Sequence, residues 1–110
     1  MLSRKSTDKE YIEMDKNSEI AIQAAVFRSL RSHLQNRTDV QNIDMMNLTG
    51  FCRNCLSRWY KEAAQQLGVE ISKEESKEIV YGMSSSEWKK KYQTEATEEQ
   101  KRVFDNNLIE

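Results

Sequence analysis

Thr38–Tyr60, TDVQNIDMMNLTGFCRNCLSRWY, holds both cysteines, one of the two tryptophans, three asparagines and two aspartates around a single glycine. Val40, Ile43 and Met46 recur at steps of three on the near side of Gly50. Beyond it Cys52, Cys55, Leu56, Trp59 and Tyr60 recur at steps of one and three. Two helical periods separated by a glycine predict a helix, a tight turn and a second helix. Thr38 and Gln41 have the spacing of a capping box, in which a hydroxyl accepts from a free backbone N–H and the amide reaches back. A short helix is therefore expected to follow Thr38. A longer one is expected from about Gly50 to Gly68, where glycine can take the left-handed conformation that closes a helix.

The same signals extend outward. Ile20, Ala24, Phe27, Leu30 and Leu34 recur at steps of three and four, which puts them on one face of a helix expected from Ser18 to about Asn36. Toward the C-terminus three further capping boxes appear: Ser72 with Glu75, Ser84 with Glu87, and Thr97 with Gln100. Gly82 stops the helix that carries Ile79 and Val80. Trp88 and Tyr92 sit four apart on the next helix, as do Phe104 and Leu108 on the last. The chain has no proline, and strict two-residue alternation is missing. The expected fold is all-α, a compact multihelical domain of five or six helices with no sheet, over residues 18–110. Residues 1–17 read as a polar, poorly ordered tail.

At 110 residues the chain is one domain in size. A domain this small buries only roughly 65% of the surface that its unfolded chain exposes. A second chain would supply more burial, and a homodimer is expected on that ground. The formal net charge is −1 with 32% charged residues, both signs interspersed. That balance suits a soluble surface and disfavours a dedicated nucleic-acid or anionic-membrane binder. Neither a secretory signal nor a spanning segment is visible, so a cytoplasmic protein is expected. Two cysteines in such a protein read as thiols or metal ligands rather than a structural disulfide.

Cys52-Arg53-Asn54-Cys55 carries the C-x-x-C spacing. On a helix the two thiols project to nearly one side, where they could share a metal or form a disulfide, and a helix N-terminus would favour the thiolate. Against this, Cys52, Cys55, Leu56, Trp59, Tyr60, Ala63 and Leu67 fall in one half-turn at roughly 100° per residue. Arg53, Asn54, Ser57, Arg58 and Lys61 fill the other. On that wheel both cysteines belong to the packed side, flanking Trp59, and act as small hydrophobes. No cofactor is predicted. A divalent metal would need ligands beyond the pair, from His33, Asp39 or Asp44 or from a second subunit, because zinc takes three or four protein ligands.

Asn42, Asp44, Asn47, Arg53 and Asn54 form a polar cluster around the turn, readable as a small-molecule or cation pocket or as cap and loop hydrogen bonding. Arg31, inside the apolar stripe of the first helix, is matched with Asp39 or Asp44. Residues 39–46 and 51–67 also fit a helix-turn-helix, whose outward arc Arg53, Asn54, Ser57, Arg58 and Lys61 would face a groove; the neutral charge disfavours it. No phosphate-binding glycine loop or placeable serine–histidine–acid set occurs, so the reading leans away from an enzyme and names no catalytic residue.

Asp39-Val40-Gln41-Asn42-Ile43-Asp44, Met46-Asn47-Leu48, Gly50-Phe51-Cys52-Arg53-Asn54-Cys55-Leu56 and Trp59-Tyr60 together resemble the bacterial family known as domain of unknown function 1244. Glu78-Ile79-Val80-Tyr81-Gly82-Met83, Glu87-Trp88-Lys89, Lys91-Tyr92-Gln93 and Ala96-Thr97 with Gln100 continue the resemblance, which spans Glu19 to Phe104. It implies a short, cytosolic, dimeric, multihelical protein and supplies no catalytic residue. The expected function is a non-enzymatic binding or interaction module acting as a homodimer, its small-molecule ligand open. The alternative is a metal- or thiol-dependent protein built on Cys52 and Cys55.

Overall fold

The computed structural model describes residues 14–109. It contains α1 (Lys16–Asn36), α2 (Asn42–Thr49), α3 (Arg53–Gln66), α4 (Lys73–Tyr81), α5 (Ser85–Tyr92) and α6 (Glu98–Ile109). No strand occurs among the described residues. The expected all-α class is borne out, at the upper helix count. No helix among the described residues is long and apolar enough to cross a membrane. The chain divides into two units, one ending at Leu30 and one beginning at Arg31.

In the first unit, α1 starts two residues before Ser18. Asp15 is the cap: its Oδ1 accepts the Ser18 N–H at 2.7 Å and its carbonyl accepts the Glu19 N–H at 3.1 Å. That side-chain bond satisfies a free donor of the first turn, and it holds the Asp15 carboxyl below its usual range. Most of the tail expected over residues 1–17 lies outside the described residues. Four apolar positions of this stretch are open to solvent, Ile20 at 56% exposed, Ile22 at 51%, Val26 at 62% and Leu30 at 37%, while Ala24 and Phe27 are half-buried.

In the second unit α3 packs on α4, α4 on α5, and α2 on α6. Leu34, Met45, Cys52, Leu56, Val80, Tyr81 and Trp88 form its buried apolar core. The stripe expected on the first helix is therefore buried within the chain only at Leu34. Tyr81 meets Trp88 edge-on at 5.2 Å, and Trp88 meets Tyr92 at 4.7 Å, T-shaped geometries that aromatic quadrupoles favour. Gly82 closes α4 at φ 80°, its N–H donating to the Glu78 carbonyl at 2.8 Å. The Gln35 side chain lies 3.0 Å from where a Cβ at Gly82 would sit, and Gln35 Nε2 donates to the Val80 carbonyl at 3.1 Å. The end of α1 is thereby tied to the end of α4.

Two of the four expected capping boxes close fully and a third by half. Ser72 and Glu75 exchange both bonds, at 3.0 and 2.7 Å. Thr97 and Gln100 do the same at 3.1 and 2.7 Å. Ser84 accepts from the Glu87 N–H at 3.1 Å, while the Glu87 carboxylate pairs with Lys91 one turn on. The second helix departs from expectation: it begins at Asn42, not after Thr38. Asp44 supplies the cap, accepting the Gln41 N–H at 3.1 Å. A charged acceptor three residues into the helix outcompetes the Thr38 hydroxyl. Asp39 is gripped by Arg37 at 2.8 and 2.9 Å, the guanidinium drawing its carboxyl down to about 2.

The third helix departs more sharply. Phe51 and Cys52 precede it, and the buried face is Arg53, Leu56 and Ser57. That face is turned by about one residue from the expected one. Arg53 and Ser57, assigned to the outward arc, are 1% and 2% exposed; Trp59 and Leu67, assigned inward, are 45% and 82% exposed. Hydrophobicity placed the seam at the tryptophan. Packing placed it at the side chains whose hydrogen bonds close inside the fold. With Arg53 and Ser57 buried, a groove-facing helix-turn-helix surface over that arc is lost.

Candidate functional site

Cys52, extended at φ −143°, precedes the first turn of α3, so Arg53 emerges toward the C-terminus of α1. The last carbonyls of a helix lack intrahelical donors and carry its negative dipole end. The guanidinium fills that gap. Arg53 Nε and Nη2 donate to the Leu34 carbonyl at 3.2 and 3.0 Å, and Nη2 donates to the Arg37 carbonyl at 2.8 Å. Nη1 donates to the Val40 carbonyl at 2.9 Å and to Asn42 Oδ1 at 3.0 Å. All five N–H donors are thus taken up by neutral oxygens, the saturation that a buried guanidinium requires. The Trp88 ring lies 4.8 Å beneath its carbon and adds a cation–π contact. Burial pulls the Arg53 pKa below its ordinary value, and an arginine stays charged through such a shift.

From Asn42 the hydrogen bonds run on in one direction. Asn42 Nδ2 donates to Tyr81 Oη at 3.0 Å, and Tyr81 Oη donates to Asn54 Oδ1 at 2.7 Å. Burial raises the Tyr81 phenol, so it remains a donor at neutral pH. Asn42 and Asn54 also line a cavity of about 560 Å3 that Gln41, Ile43, Trp88, Lys89 and the 93–96 segment complete. Gln41 spans that segment, donating to the Tyr92 carbonyl at 2.9 Å and accepting the Thr94 N–H at 3.1 Å.

The five polar residues singled out in the sequence therefore separate. Asn42, Arg53 and Asn54 meet around Tyr81. Asp44 and Asn47 turn to α6, where Asp44 Oδ1 accepts from Gln100 Nε2 at 2.8 Å and Asn47 Nδ2 donates to the Gln100 carbonyl at 3.2 Å. Asn47 Oδ1 is buried and accepts from no protein donor. Tyr81, Trp88, Gln41 and Gln100 escaped the sequence reading as members of these networks. Trp88 and Tyr81 carried only an apolar signal, and Gln100 was visible only as a cap.

Cys52 is buried and Cys55 half-buried, and both are free thiols. Burial pushes the Cys52 thiol up, against the backbone N–H groups of Cys55 and Asn54 that pull it down. Cys55 Sγ lies 3.9 Å from Met46 Sδ. The indole expected between the cysteines is instead half-exposed and stacked on Phe51 at 5.7 Å. His33 is exposed on α1. Among the described residues no three histidine, cysteine or acidic side chains gather into a group that could hold a metal ion.

Six helices among the described residues, with a saturated arginine joining α1, α2, α3 and α5 and a C-x-x-C pair at the head of the third, define a small all-α protein. The chain belongs to the family described as "Protein of unknown function (DUF1244)", whose model matches residues 40–106. The matched span contains Arg53, its tryptophan and both cysteines, and the resemblance seen in the sequence is borne out. A comparison with curated proteins finds no match.

Proposed function

We propose that this protein is a non-enzymatic interaction module of the cytoplasm that acts as a homodimer, paired through the first part of α1. The supporting observation is the solvent exposure of Ile20, Ile22, Val26 and Leu30 on one helix. An apolar series of this kind marks an interaction surface. The charge order suits a second copy as the occupant. Asp15 and Glu19 stand at the start of α1, Arg28 and Arg31 toward its end, with Ala24 and Ala25 between them. An antiparallel pair centred near those alanines brings Ile20 opposite Leu30 and Glu19 opposite Arg31, a self-complementary two-fold contact. The saturation of Arg53 supports the absence of catalysis by the polar cluster, because its donors are all engaged internally.

Sedimentation equilibrium at micromolar concentration tests this reading. A dimer that becomes a folded monomer on Ile20→Glu with Val26→Glu is expected. A wild-type monomer, or a dimer indifferent to both substitutions, overturns it.

A thiol- or metal-dependent role is the second reading, favoured by the one-turn spacing of Cys52 and Cys55 at the N-terminus of α3. Its test is iodoacetamide labelling at pH 7 together with elemental analysis, on the wild type and the Cys52→Ser, Cys55→Ser double variant. Fast labelling or bound metal that vanishes in the double variant supports it. Slow labelling at both thiols without stoichiometric metal removes it.

A further inference from the structure

A cavity of about 390 Å3 opens between α3 and α4. Its rim carries Arg58 and Lys61 from α3 and Lys73 and Lys77 from α4, and no acidic residue lines it. Register explains the clustering. Arg58 and Lys61 are three apart, Lys73 and Lys77 four apart, so each helix presents two cations on one side. Ser57 and Ser76, 2% and 1% exposed, line the wall. Both hydroxyls turn back onto their own helices, to the Asn54 and Lys73 carbonyls at 2.9 and 2.7 Å. Two small, internally satisfied residues thus let the helices approach and leave the long cations to close over the hollow.

Of the four rim cations, Arg58 contacts Glu62 at 3.7 Å, both side chains being solvent-exposed, and Lys61, Lys73 and Lys77 enter no ion pair among the described residues. In a chain with 17 basic and 18 acidic residues, four cations and no acid in the lining of one hollow make a concentrated positive field, which Glu62 offsets only at Arg58. Concave low-dielectric walls strengthen such a field. Asn54, whose Oδ1 accepts from Tyr81, also lines this cavity and is a neutral amide at its edge. The volume lies in the range of small-ligand sites.

We propose that the α3–α4 cavity binds a compact, multiply charged anion, a phosphate ester or a polycarboxylate of metabolite size. Lysine ammonium groups and the Arg58 fork supply charge-assisted hydrogen bonds, and Cys55 borders the bound anion. The lining residues lie on α3 and α4, whereas the dimer proposed above pairs through the first part of α1, so the two proposals are tested separately.

The test is a nitrogen-15 NMR titration of the full chain at low salt, with sodium pyrophosphate and with citrate in separate arms. The comparison is a Lys61→Glu, Lys77→Glu variant whose fold is checked by circular dichroism. Saturable shifts at the amides of Ser57, Arg58, Lys61, Ser76 and Lys77, weakened at least about tenfold in the variant, are expected from the loss of two charge-assisted contacts. Saturation by pyrophosphate alone assigns a phosphate ester; saturation by citrate as well assigns polyanions generally; saturation by citrate alone assigns a polycarboxylate. No saturable shift with either probe, or shifts that survive in the variant, overturns the proposal. A second reading comes from Cys55 in a Cys52→Ser background. Anionic iodoacetate should gain on neutral iodoacetamide there, and that preference should disappear in the charge-reversed variant. An unchanged ratio of the two rates counts against the site.

Discussion

Arg53 is the residue on which the second unit turns. Its guanidinium joins the end of α1, the turn before α2, the start of α3 and the face of Trp88 through contacts that no other side chain can reproduce. Arg53→Met keeps much of the apolar bulk but strands the Leu34, Arg37 and Val40 carbonyls and Asn42 Oδ1. A loss of about 3–4 kcal/mol is expected, read as a lowered urea midpoint, because each stranded buried acceptor carries a desolvation penalty. Arg53→Lys should lose about 2 kcal/mol, since a compact ammonium cannot reach so many acceptors at once. Equal stability of the lysine variant and the wild type would show that the fork geometry is dispensable. Asp39 offers a separate test by pH. Its carboxyl, held near 2 by Arg37, should titrate close to that value by carbon-detected NMR and move toward 3.8 in Arg37→Ala. Because the folded value is depressed, the interaction is present above about pH 4 and fades as pH falls toward 2. Both partners are exposed, so its effect on overall stability is small.

At the level of the helix, what could be read in advance depended on whether the signal was local. Ser72 with Glu75 and Thr97 with Gln100 are closed within four residues, and they formed as their spacing required. Gly82 ended its helix for a reason equally local. The face of α3 was another matter. Cys55, Trp59, Ala63 and Leu67 form an apolar arc on a wheel, and hydrophobicity alone turns that arc inward. The buried face instead follows Arg53, Leu56 and Ser57, because Arg53 finds its acceptors on α1 and in the turn at Val40, which no local window contains. The same cause divided the polar cluster: Asn42 and Asn54 went to Tyr81, Asp44 and Asn47 to Gln100, partners between 27 and 56 residues away. Local closure also ranks the caps. Ser72→Ala removes a serine that accepts one bond while Glu75 returns another, so it should destabilise by about 1 kcal/mol. Ser84→Ala should cost less, since Glu87 is engaged with Lys91 and returns no bond that would be disturbed. Thermal denaturation of the two variants side by side checks the order, and a larger loss at Ser84 would contradict it.

For the whole molecule, the two units have different sources of order. The unit from Arg31 onward has its own buried core and a saturated polar network, so its helices should hold at any protein concentration. The described part of the other unit, Met14–Leu30, contains no fully buried side chain, Ala24 and Phe27 being half-buried, so this stretch of α1 draws little stability from packing, which supplies most helical stability in proteins. If a second copy supplies its missing burial, its stability becomes a matter of mass action. Hydrogen exchange read by mass spectrometry separates these cases. Peptides from α3 and α4 should show the same protection at nanomolar and at high micromolar protein. Peptides within Lys16–Leu30 should be weakly protected at the lower concentration and gain protection at the higher one, by about tenfold for each 1.4 kcal/mol that association contributes. Ile20→Glu with Val26→Glu should hold them at the weakly protected limit throughout, with α3 and α4 unmoved. Protection of Lys16–Leu30 that is high and independent of concentration would mean that this helix is ordered without a partner, and the exposed isoleucines would then need another explanation.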